Sequence, residues 1–92
     1  MATTIKLSNM PHAQAAVFKM DNGNIILRSY RTDVAIIRCD GWLTINGLYP
    51  ATTRRHIGAF VKEYANISYQ LAKDLFEKGW SYNIYTGEVC EI

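Results

Sequence analysis

The run Thr52-Thr53-Arg54-Arg55-His56 gathers two hydroxyls, two guanidinium groups and an imidazole within five residues. It follows Gly47-Leu48-Tyr49-Pro50-Ala51 and leads into Ile57, so it reads as the end of a hairpin feeding the first turn of a helix. A helix start exposes unpaired N–H groups and carries partial positive charge. Arg54 and Arg55 add guanidinium donors there, which suits the site to a phosphate or a carboxylate. Cations at a helix N-terminus are each unfavourable by a few tenths of a kcal/mol, so two in succession ask for a reason. Solubilising side chains at an exposed helix end are the plain alternative.

His56 has no Cys, His, Asp or Glu at metal-ligand spacing; His12 is distant and Glu63 lies seven residues along. A neutral imidazole bonded to a hydroxyl or carbonyl of the preceding hairpin is the expected role. Thr52 or Thr53 is the expected N-cap, its hydroxyl accepting from an orphaned N–H. Thr52, Thr53 and His56 are thus structural candidates. No carboxylate pair, Gly-x-Ser-x-Gly, Cys–His signature or phosphate-cradling glycine loop accompanies them. The expectation is a protein that is not an enzyme and needs no cofactor or metal.

Which neighbour faces where follows from the apolar stripe Ile57, Phe60, Val61 and Tyr64, at i, i+3, i+4 and i+7. Arg55 falls about 160° from that stripe, and Lys62 falls near Arg55, so the outward face is basic. Gly58 shares one side with Arg54, where it lets a flat ligand or a second helix come close.

The elements that must carry this helix are legible by period. Ala15–Met20 and Asn24–Tyr30 flank Asp21-Asn22-Gly23 as a first hairpin. Val34–Cys39 and Trp42–Asn46 flank Asp40-Gly41, for which a two-residue type I′ turn is expected. The period then changes from two to 3.6, giving helices over about 53–65 and 68–78. Asn66-Ile67-Ser68 separates them, and Gly79 closes the second in a left-handed conformation, with Trp80 folding back on Leu75. Ser81–Tyr85 and Glu88–Ile92 around Thr86-Gly87 make a last hairpin or one bent strand. The fold class expected is α+β: a small antiparallel sheet of hairpins packed against two consecutive helices, with a C-terminal strand. Residues 1–92 form one domain, with 1–14 as an arm or edge element.

On the 42–46 strand Trp42 and Thr44 share one face while Leu43 and Ile45 share the other. If helices cover Leu43 and Ile45, Trp42 looks outward among neighbouring Tyr and Arg side chains. Such a face suits base stacking or a protein partner. A core that uses both sheet faces, or a homodimer burying one, is the alternative.

The formal charge is +2, ten Lys and Arg against eight Asp and Glu. That is mild for a dedicated nucleic-acid coat and leaves room for a local basic patch. The N-terminus lacks an apolar core of signal-peptide length, and no run nears ~20 apolar residues, so a cytoplasmic protein without a membrane span is expected. Cys39 and Cys90 are then expected as buried, reduced thiols, bridged only if their strands are neighbours.

The segments Ser29-Tyr30-Arg31-Thr32-Asp33-Val34-Ala35 and Gly47 to Phe60 resemble a family of short, uncharacterised bacteriophage proteins. Their pattern is a Ser-Tyr-x-Thr-x-Val/Ala strand, a hairpin, then Gly-x-Tyr-Ser-x-Thr-Thr-x-Arg-His opening a helix. Thr52, Thr53, Arg55 and His56 fall in register, over a match spanning residues 29–64; Pro50 stands where that Ser is usual. The resemblance implies viral or prophage origin and the cytoplasm of a bacterial host, and carries no activity. A phage-type accessory protein is the expected function: it binds a host or defence protein, as a stoichiometric inhibitor of machinery such as a CRISPR nuclease. Arg54, Arg55, Lys62, Trp42 and Tyr49 are its candidate contacts. The alternative is a small nucleic-acid-binding module using the basic helix start and the sheet aromatics.

Overall fold

The computed structural model describes residues 3–7, 14–46 and 51–91. Seven strands form one antiparallel sheet in the order β1 to β7: β1 (Thr3–Ile5), β2 (Ala15–Lys19), β3 (Ile25–Ser29), β4 (Thr32–Ile37), β5 (Trp42–Ile45), β6 (Trp80–Asn83) and β7 (Val89–Glu91). Helices α1 (Ala51–Tyr64) and α2 (Tyr69–Glu77) are inserted between β5 and β6. The α+β architecture, the first two hairpins and the C-terminal strand are as expected, and of the two readings of the C-terminal segment the hairpin β6–β7 is the one formed. The N-terminal segment contributes β1 as an edge strand paired to β2, while 8–13 lie outside the described residues.

Ladder register fixes the faces. Ile5, Val17, Leu27, Ala35 and Ile45 align across β1 to β5, and Ile25, Ile37, Leu43 and Tyr82 align one step along. These residues meet Ile57, Phe60, Val61 and Ala72 in the core. The opposite face carries Phe18, Ile26, Ile36 and Thr44 in one row. Both helices lie on the first side, so the layering is two deep.

Local chemistry explains the joints. At the β4–β5 turn, Gly41 N–H donates to the Arg38 carbonyl at 2.8 Å and Arg38 N–H to the Trp42 carbonyl at 2.9 Å. Gly41 has φ +97° while Asp40 does not enter the positive region. The turn is therefore a three-residue loop closed by a left-handed glycine, where a two-residue type I′ turn was expected. A Cβ on Gly41 would also lie 2.6 Å from the Tyr85 ring. Asn83 clamps this turn to the β6–β7 loop, its Nδ2 donating to the Asp40 carbonyl and its Oδ1 accepting from Tyr85 and Thr86 N–H.

α1 ends with Asn66 at φ +56°, and Ser68 caps α2 by accepting from Leu71 N–H at 3.2 Å. Gly79 follows α2 at φ +73°. Trp80 and Leu75 line one small cavity with Leu43.

The cysteines correct the expectation of burial. Both are exposed, and no disulfide joins them. Cys39 falls in the turn after β4 and Cys90 on the outermost strand. Two strands separate β4 from β7, about 14 Å at the usual ~4.8 Å spacing, well beyond disulfide reach. No helix among the described residues is long and apolar enough to cross a membrane.

Candidate functional site

α1 sorts its polar residues by face. Ile57, Phe60 and Val61 are each 1% exposed or less, so the stripe read from the sequence is the core side. Tyr64 is half-buried, its ring 5.1 Å from that of Phe60. Burial, with Glu63 nearby, holds the Tyr64 phenol above its ordinary value.

On that inner side Thr53 and His56 meet Ser29 at the end of β3. Ser29 Oγ lies 2.7 Å from His56 Nδ1 and 3.1 Å from Thr53 Oγ1. Ser29 and His56 are each 2% exposed. The three side chains satisfy one another where helix crosses strand, as buried polar groups must. Burial lowers the His56 pKa, which favours the neutral ring. His56 therefore packs on a hydroxyl as expected, but on the first hairpin and not the one preceding the helix.

Thr52 and Thr53 are not the cap. The helix begins at Ala51, which places both inside its first turn. Thr53 is buried against Ser29, while Thr52 is exposed. A partner 24 residues away in sequence competes with local capping for the Thr53 hydroxyl, and tertiary contact wins.

The outer side is a separate surface. Arg54, Arg55 and Lys62 are all exposed, and none has an ion-pair or hydrogen-bond partner among the described residues. Arg54 and Arg55 stand over Ala51, Gly58, Ala59 and Tyr69 around an open recess of about 350 Å³. Gly58 and Tyr69 continue into a second recess of about 470 Å³ bordered by Lys62, Asn66 and Ser68. Together these make a trough with a glycine–tyrosine floor and cations along its length. Arg54, Gly58 and Lys62 follow at i, i+4 and i+8, one helical turn per step.

Gly58 also settles the helix contact. A Cβ there would sit 3.2 Å from the Tyr69 Cβ, so its smallness lets α2 approach α1. The sequence alone left helix packing and ligand approach as alternatives at this glycine. The structure puts the Tyr69 side chain against it and leaves the trough beside it.

The remaining candidates fall elsewhere. Trp42 is half-buried on the sheet face away from the helices, because Leu43 faces α2. It cannot share one contact surface with Arg54 and Arg55. Tyr49 lies outside the described residues. Ser29 and Tyr69 join the site as residues that spacing did not single out, beside Gly58, which it did. Ser29 and Tyr69 carry no local signal, since β3 meeting α1 brings in the first and α2 packing on α1 the second.

Residues 5–78 match a family of unknown function (DUF8033), and the chain belongs to that family. The matched span includes Ser29, all of α1 and α2, and hence both the buried cluster and the trough. No curated protein and no solved structure matches the chain.

Proposed function

We propose that this chain is a small accessory protein that acts by docking, without catalysis of its own, on a macromolecular partner through the outer face of α1. The partner presents an acidic segment to the trough, its carboxylates meeting Arg54, Arg55 and Lys62 and its apolar groups meeting Gly58 and the Tyr69 ring. One observation carries the reading: three exposed cations without a partner among the described residues border a floor made partly of small residues. Placing two of them in the first turns of a helix works against the helix dipole, and a binding role supplies the compensation. The resemblance to phage proteins supports a setting in which the partner is a host or defence protein and the chain inhibits it stoichiometrically, a CRISPR nuclease being one such target.

Affinity capture from a nuclease-treated bacterial lysate tests this, comparing the wild-type chain with an Arg54→Glu/Arg55→Glu variant of equal stability. A protein retained by the wild type and lost from the variant is the expected result. Identical captured sets would remove the trough from the account. Nuclease treatment without effect on capture separates a protein partner from one bridged by nucleic acid.

A further inference from the structure

A second site lies at the β2–β3 end of the sheet, away from the trough, and does not depend on the reading above. Arg28 on β3 places its guanidinium carbon 4.6 Å from the centroid of the Phe18 ring on β2. Asp33 holds it there, its Oδ1 accepting from Arg28 Nε at 2.7 Å. The guanidinium is thus a flat, preorganised plate stacked on an aromatic ring, with the Arg28 side chain still 45% exposed. Beside it Tyr30 and Lys6, with Gln14, complete the wall of a recess of about 220 Å³. Among the described residues two cations, Lys6 and Arg28, line the recess, and the one carboxylate on Arg28 is Asp33, so the recess keeps a positive balance.

Tyr30 is the telling residue. Its φ is +55°, a left-handed conformation that a bulky side chain rarely adopts, and yet the residue is 57% exposed. Its ring leans on the buried imidazole of His56, 5.8 Å between centroids, and presents the rest of its surface to solvent. Glycine would meet the turn's backbone demand without strain. Strain kept at an exposed aromatic beside a stacked guanidinium points to a use for the ring.

We infer that this recess binds a nucleobase with its adjacent phosphate, the base stacking on the Arg28–Phe18 plate and the Tyr30 ring while Lys6 meets the phosphate. Stacking on aromatic and guanidinium planes is how unpaired bases are held, and a duplex hides its base faces. A free nucleotide and a single strand share this chemistry.

Fluorescence anisotropy with a labelled single-stranded oligonucleotide of mixed sequence tests the inference, with its duplex and adenosine monophosphate as further arms. The single strand should bind and the duplex should bind more weakly. Tyr30→Gly should lower the affinity about tenfold or more, the scale of one lost base–aromatic stack, and Arg28→Ala should do the same. Tyr30→Phe should retain binding. Because glycine suits the turn, Tyr30→Gly should stay folded, which circular dichroism checks and which keeps the result readable even if Arg28→Ala loses stability. In the charge-reversed Arg54→Glu/Arg55→Glu chain, which repels a polyanion wherever the site lies, adenosine monophosphate binding should still be lowered by Tyr30→Gly, which separates this site from the trough. Displacement of the strand by adenosine monophosphate assigns the site to free nucleotides, and resistance to it assigns the site to strands; both uphold it. Wild-type binding of neither the strand nor adenosine monophosphate, or a folded Tyr30→Gly that binds as wild type, would overturn it. So would adenosine monophosphate binding that Tyr30→Gly leaves unchanged in the Arg54→Glu/Arg55→Glu chain.

Discussion

The two sides of α1 use neighbouring polar residues in opposite ways. Thr53 and His56 face inward and close a buried hydrogen-bonded cluster with Ser29, whereas Arg54 and Arg55, between them in sequence, face out and pair with nothing among the described residues. One helix turn therefore carries both a tertiary clasp and an open cationic rim. A polar residue's role here follows from the face it occupies more than from its type.

The contrast predicts a graded series of stabilities. Phe60→Ala should cost about 3–5 kcal/mol, because the ring is fully buried and leaves a cavity. Chemical denaturation would measure it, and a loss below ~1 kcal/mol would show that the inner side is looser than its burial implies. His56→Ala should cost about 2 kcal/mol through lost packing and a weakened clasp. Ser29→Ala should cost about 1–3 kcal/mol, since it leaves the buried Nδ1 of His56 and the Thr53 hydroxyl without their shared partner. Equal stabilities for wild type and Ser29→Ala would mean that the clasp is incidental.

Acidity sharpens the same comparison. The folded-state pKa of His56 lies below 6.5, so the unfolded chain binds more protons between the folded and unfolded values. The contribution of neutral His56 is full above about pH 6.5 and declines as the pH falls through that value toward the folded pKa. Melting temperatures should drop over this window in the wild type and drop less in His56→Ala. Parallel pH profiles would assign the acid sensitivity to other groups.

Much of this division is legible in the sequence. The i, i+3, i+4 spacing of Ile57, Phe60 and Val61 fixes the inner side of α1, and Arg55 and Lys62 then face out by geometry alone. The hairpins were legible because Gly23 and Gly41 punctuate β-branched runs, although Asp-Gly suits both a two-residue turn and the longer loop found here. A threonine near a helix start has a local use as a cap, whereas the partner of Thr53, Ser29, is visible only once β3 and α1 meet. Spacing places Trp42 opposite Leu43 and Ile45, and only the packing of α2 on Leu43 shows that its face lies away from Arg54 and Arg55. The cysteines went astray because a frequency of burial by residue type knows nothing of a turn or an edge strand. Tyr30 is the least legible, since tyrosine is a residue that sequence rules keep out of left-handed turns.

The division of labour on α1 is tested most directly by the unfolding free energy of Arg54→Glu/Arg55→Glu in a urea titration. Reversing two exposed cations near a helix start, unpaired among the described residues, should leave stability within about 0.5 kcal/mol of wild type, with any change toward gain as the helix dipole is better matched. A loss of about 2 kcal/mol or more would show that these arginines hold the fold together, and the distinction between clasp and rim would fail.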